Sequence, residues 1–183
     1  MLVTEFKSTM YDSLFPIIVP RSYFQYGNWP GPHRNLQHPE LAVTWVDLGI
    51  GQTMTYVTQP RYEEVQLSGI DIHSLAMANL AKASEALTTH SKVEDDIVSF
   101  YAMMHADGLG TSRLLLLPAF DQLLPQGYWL GIPERSCGIL VPKDVSMEAR
   151  NDAVGVIQSC YEKGASPMLV GLFEREMFEV TDT

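Results

Sequence analysis

The residues best suited to chemistry lie in the segment HADGLGTSRLLLL, residues 105–117, where two glycines, two hydroxyl groups and an arginine precede an apolar block. Its candidate binding residues are Asp107, Thr111, Ser112 and Arg113. Backbone N–H groups at the start of a helix attract anions, and the Arg113 guanidinium could hold a carboxylate or phosphate through two hydrogen bonds. One interpretation is therefore an anion-binding site at a helix start.

The same segment also has a purely structural interpretation, which we favour. Asp107 would turn the chain, Thr111 would cap the following helix, and Arg113 would form a structural ion pair. The segment lacks the lysine of a phosphate-binding loop and the third glycine of a dinucleotide-binding fingerprint. Capping and turn formation are the commoner uses of such residues.

The segment PERS, residues 133–136, lies between two β-rich runs and is predicted to form the tip of a hairpin. Glu134 and Arg135 are candidate binding residues there, because loops on a rigid scaffold often carry function. Charged residues at a hairpin tip also serve simply as solvated turn residues, and we favour this alternative. In an enzyme, Glu134 or Asp107 would act as an acid or base.

Neither a metal site nor a nucleophile has a recognisable pattern in the sequence. Zinc sites need three or four ligands at characteristic spacings, which the scattered histidines do not provide. A serine nucleophile would need a G-x-S-x-G elbow, which is absent, and Cys137 and Cys160 are expected to be buried free thiols. We therefore predict no metal and no cofactor. The absence of a catalytic motif favours a protein that is not an enzyme, and the enzyme alternative stays open.

Aromatic side chains cluster just before and within the segment QYGNWPGPHRNLQHP, residues 25–39. The prolines and glycines of this segment predict a loop. If exposed, the side chains of Tyr23, Tyr26, Trp29 and His33 would form a protein interface, because tyrosine and tryptophan are enriched in interface hot spots. The alternative, which we favour for most of the aromatic residues, is that they are buried and pin the loop to a sheet.

The charge balance narrows the classes of partner. The chain has 12 lysines and arginines against 22 aspartates and glutamates, a net charge of −10. Nucleic-acid binding needs clustered cations and is disfavoured, whereas acidic charge suits a basic protein partner. The apolar run LFPIIVP is too short to span a bilayer, and the N-terminus lacks the apolar core of a signal peptide. We expect a cytoplasmic protein that binds neither nucleic acid nor membrane.

Hydrophobic periodicity predicts an α+β fold, and the length fits a single domain over residues 1–183. Runs 41–49 and 53–58 are predicted to pair as an antiparallel hairpin, as are the two runs that flank PERS. Amphipathic helices are predicted after Asp71 and Ser146, both candidate N-caps. We expect an antiparallel or mixed sheet, built from hairpins and covered by two or three helices.

Three further elements follow from local signals. Strands are predicted over residues 97–105 and 167–176. Pro118 cannot lie inside a helix without disrupting it, so we expect it near the first position of a new helix.

Four segments between residues 14 and 142 carry a family resemblance. They are LFPIIVPRSYF, the hairpin LAVTWVDLGIGQTMTYVT with the following helix that contains ANL, the loop ADGLGTSRLLLL, and GIPERSCGILVP. Together they resemble the YtpQ-like family of uncharacterised bacterial proteins. Ser136 stands where members often carry aspartate, so any role of that acid would be missing here. The resemblance implies no established activity and draws attention to Asp107, Ser112, Arg113, Glu134 and Arg135.

Two functional hypotheses follow. The first is a non-enzymatic, cytoplasmic protein-binding module, immunity-like or adaptor-like, with a basic partner. The second is an enzyme that binds a small molecule or anion at the helix start of residues 111–113 and the turn of residues 134–135. It requires Arg113, Arg135 and Asp107 to converge in one pocket. A homodimer through the 25–39 loop is a further alternative.

Overall fold

Two sheets form the framework of the computed structural model, which describes residues 11–26, 31–85, 87, 89–94 and 97–181. The strands of the first sheet are β1 Leu14–Pro20, β2 His33–Asn35, β3 Leu41–Leu48 and β4 Met54–Tyr56. Those of the second are β5 His90–Glu94, β6 Ile97–Met103, β7 Tyr128–Glu134, β8 Cys137–Pro142 and β9 Phe173–Glu174. The α-helices are α1 Ser22–Tyr26, α2 Gln59–Leu67, α3 Ile72–Ser84, α4 Leu117–Leu123 and α5 Met147–Lys163.

Strand β3 is the centre of the first sheet. It pairs antiparallel with β1 from Leu14 opposite Asp47 to Pro20 opposite Leu41. Its other edge pairs antiparallel with β2 and then with β4. The first six residues of β3 are buried, as expected for a central strand rich in apolar and β-branched residues. The predicted hairpin of runs 41–49 and 53–58 is therefore confirmed.

The second sheet has the order β5-β6-β8-β7-β9, and its strand pairs are all antiparallel. Strands β7 and β8 form the predicted hairpin around PERS. Strand β6 confirms the prediction for residues 97–105, and it pairs with β8 through Tyr101, Ala102 and Met103. The α+β fold class is confirmed, with two antiparallel sheets in place of the one expected.

The two longest helices of the described ranges, α3 and α5, each begin at a predicted cap. The side chain of Asp71 accepts a hydrogen bond from the Ser74 amide (3.0 Å), and that of Ser146 accepts one from the Ala149 amide (3.1 Å). Such caps satisfy amide groups that have no partner inside the helix. None of the helices in the described ranges is long and apolar enough to cross a membrane.

One hydrophobic cluster joins the two sheets. Ile18 and Val43 of the first sheet share it with Leu130 and Leu140 of the second, and Leu114 packs among them. These side chains are 1% exposed or less. Complete burial of an aliphatic side chain is worth about 1.5–3 kcal/mol each, so this cluster is a main reason that the sheets stay together.

Two predictions for irregular segments were wrong in part. Residues 25–39 are not one continuous loop, because α1 ends within them and β2 pairs with β3. The strand predicted over residues 167–176 is reduced to Phe173–Glu174. Pro167 forms an isolated antiparallel bridge with Glu134 of β7, and the chain then leaves the strand conformation at Gly171, which adopts a positive φ of 131°. Pro118 does lie in the first turn of α4, as predicted.

Gly110 lies where the chain after β6 crosses the start of β8. A Cβ atom at residue 110 would lie 1.9 Å from the carbonyl oxygen of Ser136 and 2.3 Å from that of Met103. Gly138 faces it, since a Cβ there would lie 2.7 Å from the carbonyl oxygen of Gly110. Only glycine at residue 110 lets these main chains touch.

We predict that Gly110→Ala lowers the free energy of unfolding by about 3 kcal/mol or more, because the added methyl group meets backbone atoms that cannot rotate away. Urea unfolding followed by circular dichroism measures this. Gly155→Ala on α5 is the matched control, because a Cβ there meets nothing within 4 Å. It should stabilise the helix by about 0.5–1 kcal/mol. Equal effects of the two substitutions would contradict the role of Gly110.

Candidate functional site

The segment of residues 105–117 contains no long helix start. After Asp107 the chain turns through Gly108, whose φ of +72° lies in the left-handed region. The Asp107 carboxylate accepts a hydrogen bond from the Leu109 amide (3.0 Å), which closes this turn. A short 3-10 helix, Ser112–Leu115, follows. Four residues of 3-10 helix offer far less of an anion site than the first turn of an α-helix.

Arg113 forms the structural ion pair that the sequence suggested. Its Nη1 atom donates to Asp107 Oδ1 (3.0 Å), and Nη2 donates to Oδ2 of the same carboxylate. Its Nε atom donates to Ser84 Oγ (3.1 Å) in the last turn of α3. The arginine side chain is only 4% exposed, so its donors face the protein interior instead of an open ligand site.

The electrostatics of this pair favour the charged form of Asp107. Partial burial alone would raise the pKa of the Asp107 carboxyl group. Hydrogen bonds from Arg113 and from the Leu109 amide outweigh burial and hold the pKa below its ordinary value. The carboxylate is therefore ionised at neutral pH and accepts hydrogen bonds from Arg113 and from the Leu109 amide.

Thr111 does not cap a helix, so that part of the prediction was wrong. Its hydroxyl group donates to the carbonyl oxygen of Glu134 (2.8 Å), with Cys137 O at 3.3 Å. Its amide donates to the carbonyl oxygen of Arg135 (3.4 Å). The acceptors of this hydroxyl group lie in a turn more than twenty positions further along the chain. Local sequence patterns do not predict such a distant contact. Ser112, the neighbouring candidate, is 2% exposed.

The two candidate segments thus come together, but they do so as packed backbone. Residues 110–111 lie against the turn that connects β7 to β8, which we call the PERS turn (residues 133–136). Within it, the Glu134 carboxylate accepts hydrogen bonds from the Ser136 amide (2.7 Å) and from the Ser136 hydroxyl. Glu134 is only 9% exposed. Its carboxylate closes the turn.

Arg135 faces outward, whereas the neighbouring Glu134 is buried. It is exposed and lines a pocket of about 150 Å³ with Tyr23 and Tyr56. The remaining lining comes from the end of β1 (residues 18–20) and from residues 166–168. We call this the tyrosine–arginine pocket. Arg113 and Asp107 do not line it, so the convergence that the enzyme hypothesis requires is not present there.

The two tyrosines of the pocket are close neighbours. Their ring centroids are 5.7 Å apart, with planes inclined by 32°. Burial and a hydrogen bond with Tyr23 raise the pKa of Tyr56 to about 12, although the nearby Arg135 charge opposes the shift. The Tyr56 phenol is therefore neutral at physiological pH and can donate or accept hydrogen bonds.

The other interface candidates have different positions. The ring of His33 stacks on Phe24 at a centroid distance of 4.0 Å, and its Nδ1 atom lies 3.0 Å from the carbonyl oxygen of Gly31. Tyr23 is 47% exposed. The side chain of Tyr26 and the whole of Trp29 lie outside the described residues.

Sequence reasoning named Tyr23 and Arg135 separately and missed Tyr56 and Met168, which complete the pocket. Tyr56 was part of a predicted strand, and alternation shows only which strand residues share a face. Its closeness to Arg135 is a long-range contact without a local signal. Among the described residues, no group of three or more His, Cys, Asp and Glu side chains is arranged to hold a metal ion.

Comparison of the chain with family profiles, with curated proteins and with solved structures found no match. The resemblance to the YtpQ-like family therefore stays a prediction.

We predict that Asp107→Asn lowers the free energy of unfolding by about 2 kcal/mol at pH 7, because it leaves the buried Arg113 without its anionic partner. The pKa of Asp107 is lowered in the folded protein. The stabilisation that ionised Asp107 provides is thus complete above the pKa of the unfolded state, near pH 4. It is lost as the pH falls through the lower pKa of the folded state. The difference between wild type and variant in urea unfolding should shrink accordingly below about pH 4.

Asp152→Asn is the matched control for that measurement. Asp152 pairs with Lys92 at 2.7 Å, but its side chain is 48% exposed. An exposed pair contributes little, so the change should stay within about 0.5 kcal/mol. A loss at Asp107 no larger than that at Asp152 would show that the Arg113 pair is not structural.

Proposed function

We propose that the protein is a protein-binding module and that the tyrosine–arginine pocket is its contact site. The observation that carries the proposal is the position of Arg135, an exposed guanidinium beside an exposed Tyr23. Tyrosine and arginine are the residue types that most often dominate binding energy at protein interfaces. Tyrosine adds a large contact area and a hydroxyl group at low entropic cost.

Arg135 differs from most other arginines of this chain. Four arginines form ion pairs with carboxylates of the chain itself: Arg34, Arg61, Arg113 and Arg175. Within the described ranges, Arg135 has no such carboxylate partner. Arg135 hydrogen-bonds with the neutral Tyr56 phenol instead. In a chain with a net charge of −10, a surface cation held by a neutral group favours an external anionic group.

The pocket continues into a wider groove. A second pocket of about 480 Å³ adjoins it, and the two share Pro20 and Met168. Glu40 and Arg21 also line this second pocket. A small pocket that opens into a groove suits an extended peptide segment, with one side chain or chain terminus in the pocket and the rest along the groove. We infer that the segment places a carboxylate against Arg135, where two parallel hydrogen bonds can form.

The acidic excess acts at longer range. Net charge governs how quickly two proteins meet, whereas local contacts govern how long they stay together. We propose a partner that is basic overall and that presents a carboxylate at the point of contact. An immunity-like or adaptor-like role is one form of this proposal.

We predict that Arg135→Gln weakens partner binding by about tenfold or more, the usual cost of losing a hot-spot side chain. Tyr23→Ala should act in the same direction. Binding is measured by retention of the partner from a native-host extract on immobilised protein at low salt, followed by titration of the purified partner. Lys82→Gln on α3 is the control, because it removes one exposed positive charge away from the pocket.

A photo-crosslinking amino acid at residue 23 ties the binding to this surface. The partner should crosslink at residue 23 and not at residue 67, where the wild-type leucine is 89% exposed. Crosslinking only at residue 67, or full binding by the Arg135 variant, would overturn the proposal. If no partner is retained from the native host, the binding-module proposal itself fails.

A further inference from the structure

The two cysteines of the chain meet beside a third pocket, separate from the two described above. Cys137 begins β8, and Cys160 lies in the last turn of α5. Their side chains pack together in one apolar cluster and interact through their thiol groups. Both line a pocket of about 340 Å³, together with Met104, Glu134, Ser159 and Lys163. We call this the thiol pocket.

The two thiols differ in their access to solvent. Cys137 is 2% exposed, whereas Cys160 is partly exposed on the wall of the pocket. Burial raises the pKa of Cys137 to about 12, and the neighbouring Cys160 and Glu134 add to the increase. A thiol must be ionised and accessible to attack a reagent. An external reagent therefore reaches Cys160 first.

We propose that Cys160 is a thiol-modification site that takes the sulfur of a small disulfide of the glutathione class, and that Cys137 then resolves the adduct into a Cys137–Cys160 disulfide. The thiol pocket has the volume to hold the small thiol while it is attached. Lys163 on its wall offers a positive charge to the carboxylates that such thiols carry.

The chemistry is two successive exchanges. The Cys160 thiolate attacks one sulfur of the small disulfide, whose S–S bond breaks, and the other half leaves as a thiolate. Cys137 then attacks the sulfur of Cys160, the mixed S–S bond breaks, and the Cys137 proton passes to the second small thiolate, which leaves as a thiol. The two protein thiols lose two electrons in total, and the small disulfide is reduced to two thiols. The order is fixed because the small disulfide reaches Cys160 from the pocket, whereas Cys137 is buried.

The product would tie the PERS turn to α5. Cys137 follows Arg135 by two residues, and Cys160 lies one turn before the end of the helix. A covalent bond at this point joins the start of β8 to the end of α5. The inference concerns the thiols alone and does not depend on the binding function proposed for Arg135.

The test is to incubate the native protein with oxidised glutathione, quench with acid and measure the intact mass over time. Wild type should pass through a single adduct to a species that is two hydrogens lighter than the reduced protein and is restored by dithiothreitol. Cys137→Ser should keep one adduct, which peptide mapping locates at Cys160. Cys160→Ser should react at least about tenfold more slowly, since its remaining thiol is buried.

Wild type, Cys137→Ser and Cys160→Ser should react at similar rates in urea. This control shows that every thiol can react with oxidised glutathione once the protein is unfolded. Cys137→Ala repeats the Cys137→Ser experiment without a buried hydroxyl group. The proposal is overturned if native Cys160→Ser reacts as fast as native Cys137→Ser. It is equally overturned if neither Cys137 variant takes an adduct, or if wild type retains the adduct and never forms the internal disulfide.

Discussion

The pairing of Arg113 with Asp107 is the constraint on which the site depends. A guanidinium group that is 4% exposed can persist only if its charge and its donors are satisfied. Asp107 supplies both carboxylate oxygens, and Ser84 supplies a third acceptor on α3. The pair therefore holds the loop after β6 against the end of a helix from the other half of the chain. With that loop in place, residues 110 and 111 stand against the PERS turn.

The PERS turn directs the charges of two neighbouring residues, Glu134 and Arg135, to opposite sides. The Glu134 carboxylate folds back onto Ser136 and closes the turn, while Arg135 points into the tyrosine–arginine pocket. Both the proposed binding surface and the thiol pocket border this turn. A rigid turn with one inward and one outward charge can present Arg135 to a partner at little entropic cost, because the surrounding backbone is already ordered.

Much of the fold could be predicted because its signals are local. The caps Asp71 and Ser146, the two hairpins and the helix that begins near Pro118 each depend on residues a few positions apart. An ion pair of Arg113 could also be predicted, because its acidic partner is only six residues away. Two other features could not be predicted: the hydrogen bonds of Thr111 and the closeness of Tyr56 to Arg135. Each depends on how segments distant in sequence pack together. The continuous strand expected at residues 167–176 is absent for a local reason, since its apolar pattern continues through Gly171, whose positive φ divides the bridge at Pro167 from the strand Phe173–Glu174.

The most direct test of this account is amide hydrogen exchange, resolved by NMR, in wild type and in Asp107→Asn. If the ion pair holds the PERS turn, the variant should exchange faster not only at Leu109, which bonds to Asp107 directly, but also at Thr111, Arg135 and Ser136. Amides in the middle of α5 should keep their rates. Faster exchange confined to Leu109, with the turn unchanged, would contradict the account.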